Sequence, residues 1–522
     1  MDNHTNTASF DSKPAKLYDV FIVGGGVNGC GIARDAAGRG LNTCLVEMND
    51  LAGATSSAST KLFHGGLRYL EHYKFRLVRE SLLERETLLR AMPHISWPLR
   101  FILPHHQGLR PAWLLRLGLF IYDHLGGRKL LPPTKRINFK QDQAGNSLKS
   151  SYRFGFEYSD CWVDDSRLVV LNACDAKARG ADILTRTTLI SATKAQDHWV
   201  LTCKDAAGNE FTLHSKLLIN AAGPWVNKLG VNRLGVNKLI VEQENASDRQ
   251  NKSAIRLVRG SHIVVNKLYD HDKCFILQGA DGRIVFLIPY ERDFTLIGTT
   301  DAEHDDAPEN PQCSDQEAEY LCNFVNEYLD KPVSMQDIIW RYSGVRALYD
   351  DDGVNSASAV SRDYKLSLDE QSNPPLLTIF GGKITTYRKL AEAAMAKIAP
   401  YFPAMGADWT AGVPLPGGAF PVDGVDDLLA GLKKAYPFMT DAHADRFIKS
   451  YGSDSALMLG NIKSIQDMGA HFGHDLYEIE VKWLLNNEFA LNAQDILWRR
   501  SKLGLYLTKA QADDLDKWIK TQ

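Results

Sequence analysis

Three glycines and one carboxylate carry the first chemistry legible in this chain. Gly24, Gly26 and Gly29 fall in GxGxxG register within GGGVNG, a spacing that supplies a tight turn, close backbone approach to a pyrophosphate and close packing of helix on strand. A helix starting there turns its unpaired N–H groups toward the phosphates. Glu47, roughly twenty residues on, is placed to accept a hydrogen bond from an adenosine ribose, and an acid there disfavours a 2'-phosphate. These residues imply a dinucleotide, NAD or FAD, without separating the two. An NAD domain would continue with further short βαβ repeats. Instead the chain runs into TSSASTKLFHGGLRYLEHYKFRLV from Thr55, which gathers hydroxyls, Lys61, His64, a glycine pair, Arg68 and Tyr69 in one stretch.

The elements that must position these groups follow from pattern. Tyr18 to Val23 is a β-branched and aromatic run, GIARDAAGRG reads as a helix ending near Gly38, and Asn42 to Glu47 is a second strand. Two later segments return to the same sheet. Lys216 to Gly223 is an apolar run ending in small residues at Ala222 and Gly223, as expected where a buried strand brings bare backbone against a cofactor. Leu376 to Lys389, LLTIFGGKITTYRK, repeats strand, glycine pair and helix, the helix beginning near Thr385. The amides of Gly382 and Lys383 are thereby placed to stabilise negative charge on a flavin's pyrimidine edge or on phosphate. Between these returns, Ile255 to about Gly298 alternates apolar and polar residues around a GADG turn and predicts an antiparallel substrate-covering sheet. From about Tyr401 the pattern is helical, a separate domain with no catalytic motif of its own.

At 522 residues the chain exceeds what one hydrophobic core usually supports. With 44% hydrophobic and 24% charged residues and a formal charge of -3, it is neither a disordered chain nor a globally basic nucleic-acid binder. The eight cysteines form no CxxC pair and no compact framework, which favours a reducing compartment. Residues 1–17 read as a flexible polar tail without a targeting pattern, and Glu242 to Arg256 as an exposed loop. No run of about eighteen apolar residues predicts a simple transmembrane helix. Neither the acidic run Asp350 to Asp352 nor the pair His105 and His106 has the spacing of a metal site, and none is expected.

Taken together, these segments resemble the FAD-dependent, quinone-linked glycerol-3-phosphate dehydrogenases of the aerobic bacterial type. The likeness covers most of the chain and is carried by VGGGVNGCGIARDAAGRG, ATSSASTKLFHGGLRYLEHYKFRLV, GFEYSDCWVDDSRLV, INAAGPWV, RGSHIVV, IGTTD, YSGVRAL and FGGKITTYRKLAE. It implies an α/β fold: a Rossmann-like FAD-binding domain of the glycine-oxidase/D-amino-acid-oxidase type, an antiparallel-sheet substrate domain and a C-terminal helical domain. The expected boundaries are 18–95, about 150–225 and 340–398 for the first, about 96–149 and 226–339 for the second, and 399–522 for the third. The implied reaction oxidises sn-glycerol 3-phosphate to dihydroxyacetone phosphate, with hydride passing from C2 to flavin N5 and electrons to a membrane quinone of the respiratory chain.

Carried onto this sequence, the resemblance puts Gly24, Gly26, Gly29 and Glu47 on the adenosine diphosphate half of FAD. It puts Thr55, Ser56, Ser57 and Thr60 near the pyrophosphate and isoalloxazine, with Ala222 and Gly223 along the path and Gly382, Lys383 and Thr385 at the far edge. Gly65 and Gly66 give backbone clearance, while Lys61 and His64 stand between local support and flavin contact. For the substrate phosphate it implies the planar forks of Arg68 and Arg346, with Tyr69 as hydroxyl donor and Lys383 nearby. By itself, an arginine beside an apolar run more often snorkels to solvent. Relatives usually carry proline after the second arginine, where this chain has Ala347. His262, in GSHIVV, is the leading proton acceptor; His64 and a water next to Arg346 compete with it.

Trp97 to Leu131 interleaves Arg100, Arg110, Arg116, Arg128 and Lys129 with tryptophan, leucine and phenylalanine. It reads equally as a surface for an anionic membrane or as a buried helix with solvated basic ends. A quinone acceptor favours the first, a protein held peripherally on the cytoplasmic face of the plasma membrane. The expected partners are glycerol 3-phosphate, a membrane quinone and the anionic bilayer, with a homodimer left open and no nucleic acid. The rival readings are an oxidase using oxygen, an amine or glycine oxidase, and a flavin-binding scaffold without activity. The intact HGGLRYLE and YSGVRAL argue against the amine oxidase.

Overall fold

The computed structural model describes residues 16–228, 255–279, 282–349, 363–369 and 373–522. The first fifteen residues of the polar tail, the expected loop from Glu242 as far as residue 254, the middle of the GADG turn and the acidic run at Asp350 lie outside the described residues.

The first sheet is built around Leu17–Val23, whose Val20, Phe21 and Ile22 are fully buried, as a central parallel strand requires. Thr43–Val46 and then Asp182–Leu184 lie on one side of it, Glu210–Asn220 and then Leu376–Phe380 on the other, all parallel. Lys365–Asp369 and the hairpin Thr188–Lys194/Trp199–Lys204 add antiparallel edges. Because successive connections leave Leu17–Val23 in opposite directions, a crevice opens at the carboxyl ends of Leu17–Val23 and Glu210–Asn220. Gly24 sits at its mouth with φ +113°, and a Cβ there would lie 2.6 Å from the carbonyl oxygen of Ala221. The helix Val27–Gly38 follows, packed so closely that a Cβ on Gly29 would lie 1.9 Å from the Gly24 carbonyl oxygen.

The second sheet covers this crevice. Its longest pair is Ile255–Asn266 with Ile338–Tyr349, antiparallel, in a register that sets His262 against Tyr342 and Val258 against Arg346. Phe294–Gly298, Ile284–Tyr290 and Cys274–Gln278 continue it, and a parallel pairing joins Cys274–Gln278 to Pro98–Pro104 and so to Phe154–Trp162. Period two divides the faces. Ile263, Val265, Phe275 and Leu277 pack with the helix Asp315–Asn326, which begins in a Ser314/Glu317 capping box. Val264 and Ile276 belong to the opposite face, as does His262 by register.

The C-terminal helices, among them Val425–Ala435, Asp441–Tyr451, Glu478–Asn487 and Lys509–Ile519, close around their own core. They dock on the first domain through buried ion pairs, including Arg167 with Glu488 and Arg500 with Asp50.

Three segments expected with the nucleotide-binding portion belong elsewhere. Leu62–Phe63, Phe154–Trp162 and Ile338–Tyr349 are all hydrogen-bonded into the covering sheet. Which sheet a strand joins is set by partners far away in sequence. All eight cysteines are free thiols, seven of them buried.

Candidate active site

A cavity of about 730 Å³ runs from the carboxyl ends of the parallel strands to the covering sheet. At one end lie Gly24, Gly26, Glu47 and Asn49, with Thr187 to Leu189 beside them. The Glu47 carboxylate accepts hydrogen bonds from the amides of Gly25 and Asn49, each at 2.7 Å. Burial raises its pKa despite those two donors. The Ser56 hydroxyl, also on the wall, accepts from the Val27 amide at 2.9 Å and so marks the open N-terminus of the helix.

Midway, Thr55 donates to the Val345 carbonyl at 2.5 Å, tying the hydroxyl-rich loop to the covering sheet. Ala222 and Gly223 line the opposite wall. Gly381 and Gly382 close the far edge with φ +67° and +103°, and a Cβ on Gly382 would meet Asn28 at 3.2 Å. Asn28 donates to the Gly381 carbonyl at 3.1 Å, while its Oδ1 is buried with no hydrogen-bond partner among the described residues.

Under the covering sheet the cavity is cationic. Arg68, Arg283, Arg346 and Lys383 line it together with Tyr69 and His64. The Lys383 ammonium sits 4.0 Å from the centre of the Tyr69 ring. Arg346 donates through Nη1 to Asp301 at 2.6 Å and, at a longer 3.5 Å through Nη2, to Thr299. A Cβ at position 260 would lie 2.6 Å from Arg346 Nη2, so the glycine of GSHIVV makes room for this guanidinium. Thr60 is on the wall, and its hydroxyl lies 3.0 Å from Nε2 of His262.

The arrangement agrees with what comparison shows. The sequence profile described as FAD dependent oxidoreductase matches residues 19–388, and that described as the C-terminal domain of alpha-glycerophosphate oxidase matches 409–521. The aerobic glycerol-3-phosphate dehydrogenase of Escherichia coli (strain K12) is 46% identical over 503 residues, covering 96% of this chain and 97% of that protein. The chain belongs to the FAD-dependent glycerol-3-phosphate dehydrogenase family. The D-erythritol 1-phosphate dehydrogenase of Brucella abortus (strain 2308) is similar at 45% identity, covering 96% of this chain and 97% of that protein. In fold, the chain matches the glycerol-3-phosphate dehydrogenase from Bacillus halodurans complexed with FAD with a TM-score of 0.72 at 24% identity, over 97% of this chain and 94% of that one.

FAD, the cofactor of this family, fits the residues present. The turn at Gly24 to Gly26 is bare backbone where side chains would clash, since a Cβ on Gly25 would lie 2.8 Å from Glu47 Cβ. The buried Asn28 Oδ1 is an acceptor that the described residues leave unused.

Several expected family contacts stand off the wall. His262 is fully buried behind Thr60, stacked on Tyr342 with ring centroids 4.8 Å apart, and its Nδ1 has no hydrogen-bond partner among the described residues. Burial, then Arg346 and Lys61, push its pKa well below the ordinary histidine value. Lys61 is buried as well, and its ammonium is spent on the Asp165 carboxylate at 2.9 and 3.0 Å and the Ser57 carbonyl at 3.1 Å. Ser57 donates to the Ala54 carbonyl at 3.2 Å, Thr385 is buried at the turn into the helix Tyr387–Ile398, and Gly29 serves packing. Arg100 and Arg128 also leave the basic surface expected of them: Arg100 pairs with Glu157 at 2.6 Å and Arg128 donates to the Leu131 carbonyl. Asp301, Thr299 and Arg283 were missed in the sequence. IGTTD carried a signal for the first two, whereas Arg283 follows a glycine turn and reads as an ordinary loop residue.

His94, His262 and His443 are buried and held neutral, burial lowering His94 and His443 to about 3, helped by Arg167 and Arg446 respectively. The unfolded chain takes up protons on these rings near pH 6.5, and the folded chain does not. Their contribution to stability is therefore complete above that pH and falls as pH drops, by at most about 1.4 kcal/mol per ring per pH unit. Thermal unfolding between pH 7.5 and 5 should show this loss, and His443→Phe should flatten the slope by about one proton. A slope unchanged in the variant would refute the assignment.

Proposed function

We propose that the protein oxidises the C2 alcohol of sn-glycerol 3-phosphate to dihydroxyacetone phosphate and passes the electrons to a membrane quinone while bound to an anionic bilayer. The observation that supports this most directly is the convergence of Arg68, Arg283, Arg346 and Lys383 on one cavity beside the glycine turn. A dianionic phosphate calls for several cations and favours guanidinium forks.

Bound FAD supplies the hydride acceptor. The protein binds, orients and deprotonates. Asp301 accepts from Arg346 Nη1 and so orients a guanidinium that lines the cavity. The Thr60 hydroxyl, between cavity and His262, accepts the C2 hydroxyl proton while passing its own to His262 Nε2. His262 is thus a proton acceptor at one remove. Its low basicity fits transfer in concert with loss of hydride, when the alcohol is most acidic.

Membrane binding rests on the helix Ala112–Leu125. Trp113, Leu117 and Phe120 are 68%, 48% and 58% exposed, and their spacing puts them on one helical face. Arg110, which begins this segment, pairs with Glu71 at 3.1 Å and so holds the turn bearing exposed Tyr73 beside it. Such a ridge suits the headgroup level of a bilayer, where an apolar electron acceptor is met.

The relative at 45% identity named for D-erythritol 1-phosphate keeps a longer polyol phosphate as a second reading. Anaerobic addition of glycerol 3-phosphate should bleach the yellow holoprotein faster than D-erythritol 1-phosphate does. The reverse order would select the second reading, and no bleaching by either would defeat both.

His262→Asn and Thr60→Val should each lower kcat by about a hundredfold or more, with little change in KM, as removal of a proton-transfer group does. Unchanged kcat would return the base to His64 or water. Replacing Trp113 and Phe120 by serine should release the protein from vesicles of anionic lipid and leave its activity with a soluble dye intact; retained binding would exclude this ridge as the membrane surface.

A further inference from the structure

The C-terminal domain carries none of the cavity's chemistry, yet one of its segments grips the residues that frame the cavity's adenosine end. Asp50, three residues after Glu47, is 1% exposed, and its carboxylate receives Arg500 through Nη1 and Nη2, both at 2.8 Å, as well as Nε of Arg499. Arg500 spends further N–H groups on the Glu488 carbonyl at 2.8 and 3.0 Å. On the neighbouring loop, Arg186 donates to the buried Asp495 carboxylate at 2.7 and 2.9 Å. Asp495 also accepts from Arg499 at 2.5 Å, so two carboxylates and three guanidiniums form a single network.

The two gripped loops are themselves laced together. The amide of Thr187 donates to the Glu47 carbonyl at 2.8 Å and that of Arg186 to the Asn49 carbonyl at 3.0 Å. Glu47, Asn49, Thr187 and Thr188 all line the cavity. Ile496–Arg500 is one turn of π-helix, closed by the Ser501 amide on the Ile496 carbonyl at 3.0 Å. Successive side chains of an α-helix diverge by about 100°; the wider turn narrows that divergence, and Arg499 and Arg500 reach the same carboxylate. Elsewhere the domain contacts the helix Asp165–Ala178, through Arg167 with Glu488 and Lys502 with Ser166, and the covering sheet, through Tyr506 with Asp293. Among the described residues, the ion pairs to the loops carrying the ribose-facing carboxylate come from the segment at 495–500.

We propose that Asp495, Arg499 and Arg500 are positioning residues for the adenosine half of FAD: by fixing the loops at 47–50 and 186–189 they preorganise Glu47, so that FAD occupancy and docking of the C-terminal domain favour one another. The coupling is reciprocal by linkage. A domain that merely adhered would stabilise the fold without altering FAD release.

The test uses the full-length holoprotein. Arg499→Gln leaves Arg500 to compensate Asp50, and the double variant Asp50→Asn/Arg500→Gln removes both buried charges at once, which avoids stranding either. FAD release is followed by the recovery of free-flavin fluorescence, and the thermal midpoint of the apoprotein is measured in parallel. The expected result is release about tenfold faster, within the usual range of coupling between sites, with an unchanged apoprotein midpoint and unchanged bleaching per bound FAD. Release at the parental rate in a folded variant would overturn the proposal. If neither variant folds, hydrogen exchange of the parental chain decides. FAD must slow exchange across 488–503, and exchange there indifferent to FAD would equally overturn it.

Discussion

The pair formed by Lys61 and Asp165 is the interaction on which the rest of the site depends. Both side chains are wholly buried. The Asp165 carboxylate takes two contacts from Lys61, two donors from Ser59 and the amide of Ser166, which satisfies nearly all its lone pairs. A buried pair of this kind adds little net stability, but loss of one partner costs about 3–5 kcal/mol because the other charge is stranded. What it supplies is position. It pins the hydroxyl-rich loop to the start of the helix Asp165–Ala178, and the next residues of that helix, Ser166 and Arg167, hold Lys502 and Glu488 of the C-terminal domain. Cofactor loop, first domain and C-terminal domain meet within three consecutive residues.

The opening strand, the glycine turn and the carboxylate at Glu47 were legible in the sequence because their physics is local. A tight turn needs φ > 0 at Gly24, and close helix packing forbids a Cβ at Gly29. The cationic lining was legible only through motif likeness, since nothing about Arg68 or Arg346 alone distinguishes a ligand fork from a snorkelling side chain. Pairing at long range was legible for Glu210–Asn220 and Leu376–Phe380, where small residues end an apolar run, and not for the covering sheet's remoter strands. Phe154–Trp162 looks like any apolar strand, and its place between Pro98–Pro104 and Leu62–Phe63 depends on partners that no periodicity names. Arg283 was missed for the same reason, because the hairpin that delivers it to the cavity is a tertiary fact.

Lys61 shows where local reading misleads. A lysine beside two hydroxyls and a histidine suggests contact with a cofactor oxygen, yet the opposing charge comes from a helix about a hundred residues later. Arg100 follows the same rule, with Glu157 across an antiparallel pair. In each case a basic residue near the site in sequence serves structure, and those that line the cavity come from five separate segments. Alternation on Ile255–Asn266 explains the remaining displacement. His262 shares the inward face with Val264, but Gly260 is the inward position left open, and Arg346 from the neighbouring strand fills it.

The structural pin and His262 are electrostatically one system. Lys61, paired with Asp165, and Arg346, paired with Asp301, both add to burial in depressing the basicity of His262. Burial and these two cations thus all disfavour protonation of the ring. A charged imidazolium at this place would be repelled by both the Arg346 guanidinium and the Lys61 ammonium. Weak basicity is thus the condition under which a histidine shares so small a volume with two cations, and its burial behind Thr60 meets that condition.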